Sequence, residues 1–136
     1  LTLGLYDPSD SYGNAINVLG DVCGSSDGMP YVAPAGQTAQ PLPVTRNTYR
    51  GQARDINDAG EMVGYLTILL KGGSHITDDA YLWKDGDVID LETQIDRKSG
   101  WGTLWSANHV NNAGIIAGQG YFDVQQRGVL QIPTGP

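Results

Sequence analysis

Short runs of alternating apolar and polar residues cover this chain, separated by clusters of Gly, Pro, Asn and Asp. The pattern is typical of strands joined by turns. One phrase, Ile-Asn-x-x-Gly-x-x-x-Gly with Val replacing Ile once, occurs at residues 16–24, 56–64 and 110–118. We call it the Asn–Gly phrase. Each copy predicts a β-hairpin, because Asn caps turns through its side chain and Gly can take positive φ.

A second hairpin is predicted after the first one in each unit. In the best-defined unit, residues 80–83 form one strand, the turn lies at 84–86, and residues 87–91 form the next strand. The counterparts lie at 30–42 in the first unit and at 128–132 in the third. A full unit is therefore a meander of four short strands. The N-terminal residues 1–5 resemble residues 89–93, so they are predicted to supply the strand that the third unit lacks.

These units predict a single all-β domain over residues 1–136, since each unit alone cannot bury its apolar face. The units are placed at about 14–52, 53–106 and 107–136, with the N-terminal strand at 1–5. Propellers usually have about 4–8 blades, so three units favour a closed pseudo-threefold arrangement, trefoil-like or prism-like. The alternative is a set of propeller-type blades completed by another chain or by a longer protein.

The sequence pattern of the units resembles the HAF repeats of bacterial extracellular proteins. The best match runs over residues 53–91, where the Asn–Gly phrase is followed by Ala-Tyr-Leu-Trp, x-Asp-Gly and x-x-Asp-Leu. Residues 14–24 and 107–118 match the first hairpin only. The resemblance implies β-rich repeats in a secreted or surface-attached setting. It carries over no catalytic residues.

Composition and charge narrow the choice of partners. The chain has 19 Gly and 7 Pro, a formal net charge of −7, and only 8 basic residues, which are scattered. Nucleic acids and anionic membrane surfaces need clustered Lys and Arg, so neither is an expected partner. No apolar run approaches the ~20 residues of a membrane helix. The single cysteine, Cys23, is predicted to be a small buried hydrophobic residue and leaves the compartment open.

Aromatic residues near the third unit are the candidate ligand-binding residues. Trp101 and Trp105 flank a short Gly-Thr-Leu segment in the longest insertion, and Tyr121 and Phe122 follow the third Asn–Gly phrase. Exposed flat rings stack on sugar faces, so these four residues predict a carbohydrate site. Trp83 stands in the register of the repeat and is instead expected in the core.

Catalytic and metal sites are weakly supported by the sequence. The carboxylates near Gly86 lack a calcium-loop pattern, and His75 and His109 are too far apart in sequence to form a zinc motif. Ser74 precedes His75 without a nucleophile-elbow motif. Glu61 and Glu92 are the only glutamates and the only candidates for a glycosidase pair. We therefore expect no catalytic residues, no metal and no cofactor.

The sequence favours a non-catalytic extracellular or cell-surface β-repeat module that serves interaction or structural assembly. A lectin-like carbohydrate binder using the loop aromatics is the first alternative, and a polysaccharide-degrading enzyme is the second. The expected partner is a protein or glycan surface. A homo-oligomer formed by strand exchange through residues 1–5 is also open at this point.

Overall fold

Antiparallel β-strands dominate the computed structural model, which describes residues 11–70, 72–73, 76–123, 125–127 and 131–133. Within this range the chain has twelve strands and two short 3₁₀ turns, Leu91–Gln94 and Arg97–Ser99. The strands form three sheets that follow one another along the chain, and we call them the first, second and third sheets. The predicted all-β class is confirmed.

The first and second sheets are meanders in which each strand pairs with the next. The first sheet contains β1 (Ser11–Ile16), β2 (Val22–Ser26), β3 (Met29–Ala33) and β4 (Gln40–Pro41). The second contains β5 (Thr48–Ile56), β6 (Met62–Leu69), β7 (Ile76–Lys84) and β8 (Asp87–Asp90). This is the strand order that the sequence predicted for its two full units.

The third sheet differs from the first two in the strands that follow its second strand. The strand β9 (Trp101–Val110) pairs with β10 (Ile115–Phe122), whose other side is shared by β11 (Gln125–Arg127) and β12 (Gln131–Pro133). Of the strand predicted at 128–132, residues 128–130 lie outside the described residues. The predicted N-terminal strand, residues 1–5, also lies outside them. Its role in completing the third unit therefore stays a prediction.

All three copies of the Asn–Gly phrase form the hairpin between the first two strands of a sheet. The backbone N–H of Gly60 donates to the carbonyl oxygen of Asn57 at 3.0 Å, and Gly114 makes the same bond to Asn111. Gly60 has φ 82° and Gly114 has φ 76°, so both adopt the left-handed conformation that only glycine takes at little cost. The predicted turn geometry is confirmed.

The first strands of the second and third sheets begin earlier than predicted. The strand β5 starts at Thr48 rather than at residue 53, because β6 continues to Leu69 and its Ile68 pairs with Thr48. Similarly, β9 starts at Trp101 rather than at residue 107, since Phe122 of β10 pairs with it. Residues 101–105, predicted to belong to the longest insertion, therefore extend a hairpin instead.

The three sheets pack face to face in chain order, with the second sheet in the middle. Neighbouring residues of a strand point to opposite faces, so Met62 joins the cluster shared with the first sheet and Val63 the cluster shared with the third. The first cluster comprises Cys23, Leu42, Ala53, Ile56, Met62, Leu66, Tyr81 and Trp83. The second comprises Val63, Ala80, Leu82, Leu91, Leu104, Ala107, Val110 and Ile116.

The described residues do not show the closed pseudo-threefold arrangement, trefoil-like or prism-like, that the sequence analysis favoured. The extensive contacts join the first sheet to the second and the second to the third. Within the described residues, the second sheet uses one face for the first sheet and the other face for the third, so the sheets form an open row. We call this row the sheet stack.

Candidate functional site

A column of asparagine side chains connects the three turns of the sheet stack. Within each turn the Asn Oδ1 accepts a hydrogen bond at 2.9 Å from the backbone N–H four residues later. In the first two turns the amide nitrogen donates to the carboxylate of that same residue, from Asn17 to Asp21 and from Asn57 to Glu61. These bonds fix each amide, so that its Nδ2 points toward the next turn.

The same amides then bind the following turn. Asn17 Nδ2 donates to the carbonyl oxygen of Asn57 at 3.1 Å, and Asn57 Nδ2 donates to that of Asn111 at 3.0 Å. We call this row of side chains the asparagine ladder. Asn17 is 8% exposed and Asn57 is 3% exposed, whereas Asn111, the last residue of the ladder, is exposed. The two ladder bonds therefore lie at the two junctions at which one sheet packs on the next.

A second row of bonds runs beside the ladder at the next residue of each turn. The N–H of Val18 donates to Asp58 Oδ1 at 2.9 Å, and the N–H of Asp58 donates to Asn112 Oδ1 at 2.8 Å. Asn112 Nδ2 returns a bond to Asp58 Oδ2 at 2.8 Å. In this second row the side chain of the following turn accepts from the backbone of the preceding turn, so the sheets are held in register from both sides.

The four predicted ligand-binding aromatics lie on strands β9 and β10 rather than in a loop. Their rings form two pairs on the third sheet. The Trp101 and Phe122 ring centroids are 5.3 Å apart, and those of Trp105 and Tyr121 are 4.8 Å apart in an edge-on contact. Trp101 also packs against the cluster between the second and third sheets. The structure therefore divides the predicted site into two aromatic pairs.

A cavity of about 610 Å³ opens where the Trp101 end of β9 meets the first 3₁₀ turn. The lining combines one aromatic side chain, two carboxylates and two hydroxyl groups, contributed by Asp90, Glu92, Thr93, Ile95, Trp101, Gly102 and Thr103. The sequence offered the carboxylates near Gly86, Asp90 among them, only as cation ligands and offered Glu92 only as part of a catalytic pair. Their approach to Trp101 depends on how the second sheet packs on the third, which no local motif signals.

Burial changes the acid–base properties of this cavity. It raises the pKa of Glu92 above the ordinary value, opposed by a hydrogen bond that the N–H of Leu104 donates to the carboxylate at 2.8 Å. Burial also raises the pKa of Asp79, and the negative charge of Asp90 adds to that effect. Glu92 is therefore a cavity-lining carboxyl group of reduced acidity, and the acidity of Asp79, which is not among the lining residues, is reduced as well.

The two glutamates that could form a glycosidase pair have separate partners. Glu61 accepts from Asn57 and lies 3.5 Å from the ammonium nitrogen of Lys84, while Glu92 accepts from Leu104. His109 lies 3.7 Å from a carboxylate oxygen of Asp55. In the described residues, no cluster of three or more His, Cys, Asp or Glu side chains could hold a metal ion. His75 and Ser74 lie outside those residues.

Comparisons with protein-family models, curated proteins and solved structures gave no match. The resemblance to HAF repeats therefore stays a prediction. Across the part of the chain that the structure describes, no helix has the length and apolar character needed to cross a membrane.

Proposed function

We propose that this chain is a non-catalytic extracellular β-repeat module that acts in interaction or structural assembly, with its sheets arranged as propeller-type blades. The asparagine ladder is the observation that carries this proposal. It binds successive sheets through one repeated geometry, and its last amide, on Asn111, is exposed at the end of the sheet stack. The extracellular setting is supported by the HAF resemblance.

Each repeated contact in the stack depends on a following sheet. The backbone and side chains of one phrase meet the next phrase in the same way twice, at the first and second junctions. Such nearest-neighbour architecture makes the terminal units the natural sites of association, because the part of the chain that the structure describes places no further sheet on their outer faces. A surface of this kind suits a protein partner or a further β-sheet.

Binding measurements on the immobilised chain test the proposal that it is an interaction module. The chain is offered secreted proteins, surface polysaccharides and itself, and the response is compared between wild type and Ala117→Arg, a change on the outer face of the third sheet. We expect binding that the substitution removes, because Arg brings charge and bulk to the contact face. Binding that persists unchanged, or turnover of an offered polysaccharide, would overturn the proposal.

Carbohydrate binding is a second candidate, favoured by the cavity beside Trp101. An aromatic ring next to carboxylates and hydroxyl groups matches the apolar faces and the hydroxyl edges of a sugar. The cavity volume of about 610 Å³ lies within the range of small-molecule sites.

Isothermal titration calorimetry with neutral oligosaccharides tests this candidate. We expect weak binding that Trp101→Ala abolishes and that Tyr49→Ala, at an exposed aromatic residue on β5, leaves unchanged. A panel without heat of binding at millimolar sugar, or equal losses in the two variants, would reject carbohydrate binding and leave the module proposal intact.

A further inference from the structure

Among the described residues, none packs against the outer face of the third sheet in the way that a following sheet packs against the first and second. Cys23, Val63 and Ala117 occupy the same position of the Asn–Gly phrase. Cys23 and Val63 are 0% exposed because the next sheet covers them, whereas Ala117 is exposed. The third sheet thus presents the same strand position without a cover.

On the outer face of the first sheet, a position of the phrase that is buried in the other two sheets is exposed. Ile16, Ile56 and Val110 share another position of the phrase, just before the Asn. Ile56 is 5% exposed and Val110 is 6% exposed, each packed against the preceding sheet, but Ile16 is 67% exposed. The chain therefore carries both halves of one interface, at opposite ends of the stack.

The two junctions within the chain, first sheet to second and second sheet to third, show which positions of the phrase pack together. Cys23 shares a buried cluster with Ile56, and Val63 shares one with Val110. Continuing that pattern places Ala117 against the position that Ile16 occupies in a first sheet.

The asparagine ladder ends in the same place. Asn111 keeps the bond from the N–H of Ile115 to its Oδ1, but the described residues supply no acceptor for its Nδ2. Ile115 stands where the first two turns have Asp21 and Glu61, so the carboxylate partner of the amide is also missing. The carbonyl oxygen of Asn17 accepts from Gly20 and, unlike that of Asn57, receives no ladder bond from the described residues.

We propose that a second copy of this chain docks its first sheet onto the third sheet, and that two copies close head to tail into a ring of six sheets. The inference rests on the proposed function and names its partner. Asn111 Nδ2 then donates to Asn17 of the second copy, and Ala117 packs against its Ile16. Six sheets fall within the usual range of about 4–8 propeller blades. Head-to-tail contacts form closed rings when the rotation between copies closes.

Sedimentation velocity across low to high micromolar concentrations tests this assembly. We expect a species of twice the 14.5 kDa chain mass. Ile16→Arg and Ala117→Arg should each weaken association at least about tenfold, since each puts a charge into both junctions of the ring. Ile76→Arg, at an apolar residue of β7 that is 52% exposed, is the matched control and should leave the mass unchanged.

Mixing distinguishes a head-to-tail ring from other dimers. An equal mixture of Ile16→Arg and Ala117→Arg contains one unaltered junction per mixed pair, so two-copy mass should return at concentrations where each variant alone is monomeric. Circular dichroism checks the fold of each variant. Asn111→Asp, which removes the ladder donor at an exposed site, is the second variant and should also weaken association.

Three outcomes overturn the ring of two copies. They are a wild-type mass of one chain at the highest concentration, a larger or open-ended assembly, and a dimer that neither end substitution affects. A monomeric wild type that still captures a different protein in an Ala117-dependent way would overturn the second copy as partner. That same result would leave the module proposal standing.

Discussion

The side-chain amide of Asn57 donates to the backbone carbonyl oxygen of Asn111 at 3.0 Å, joining two turns that lie 54 residues apart in sequence. Asn57 is buried and uses both amide atoms, since its Oδ1 accepts from Glu61 N–H while its Nδ2 also donates to Glu61 Oε1. One side chain thus shapes its own turn and holds the next sheet in register. Satisfied buried polar groups of this kind favour one packing over its alternatives.

Replacing Asn57 with Asp should destabilise the fold by about 2–4 kcal/mol, because the lost amide leaves the Asn111 carbonyl without its donor and a carboxylate faces Glu61. The exposed Asn111→Asp is the matched control and, at a protein concentration at which the chain is monomeric, should cost less than about 1 kcal/mol. Urea denaturation of both variants gives the two free energies. Equal losses in the free energy of unfolding of the two variants would show that the ladder bond from Asn57 does not stabilise the fold.

Replacing Gly64 with Ala should also destabilise the fold. A Cβ at this position would lie 2.0 Å from the carbonyl oxygen of Gln52 on the paired strand, so β5 and β6 would have to separate. We expect a cost of about 1–3 kcal/mol, the usual range for overpacking.

Gly102→Ala is the control for Gly64→Ala. Its nearest neighbour would be the Tyr121 carbonyl oxygen at 3.9 Å, an ordinary contact distance. Thermal unfolding should show a lower midpoint for Gly64→Ala and little change for Gly102→Ala. A similar midpoint for both variants would mean that the close strand approach is absent.

Cys23 should be chemically inert while the protein is folded. The residue is 0% exposed, and burial together with the negative charge of Asp55 raises its pKa to about 12. Thiolate is the reactive species, so the native thiol lacks both access and ionisation. We expect no reaction with a thiol reagent near neutral pH and one equivalent after denaturation. Rapid labelling of the native protein would show that β2 is open at this site.

Stability should respond to pH through Glu92. Burial raises the pKa of this carboxyl above its ordinary 4.5, so the folded state holds the proton more tightly than the unfolded state. The contribution of Glu92 is therefore present below the ordinary pKa and is lost as pH rises through the folded one. Glu92→Gln, which retains an acceptor for the Leu104 N–H, should gain stability relative to wild type as pH increases.

Urea denaturation at about pH 4 and at about pH 7 measures that difference. Asp87→Asn, at the exposed carboxylate that begins β8, controls for the loss of one negative charge. A Glu92→Gln advantage that shrinks with rising pH would show that the carboxylate is stabilised by its surroundings instead.

Much of the local structure could be predicted from sequence. The Asn–Gly phrase predicted the three hairpins and the positive φ of Gly60 and Gly114, because those features depend on a few adjacent residues. The turn at Asp27 and Gly28, with φ 52° and 76°, was overlooked although Asp-Gly between apolar runs signals a tight hairpin. Trp83 in the core was also predicted correctly.

The candidate site could be predicted only in fragments. Trp101 was selected for its aromatic ring, but the cavity that it lines with Glu92 joins the second sheet to the third. The same limit applies to the partner of Trp105, since the edge-on contact with Tyr121 follows from a strand pairing that was read as an insertion.

The sequence by itself determined the hairpins, the strand order of two sheets and the burial of Cys23, since turn chemistry and alternating polarity act over a few residues. Only the tertiary structure decided that the sheets form an open row, that Asn17 reaches Asn57, and that Ala117 is left uncovered. The three phrases share their Asn and their two Gly residues, so they form the same turn. Whether a copy of the phrase packs against a following sheet depends on the position of its own sheet in the sheet stack.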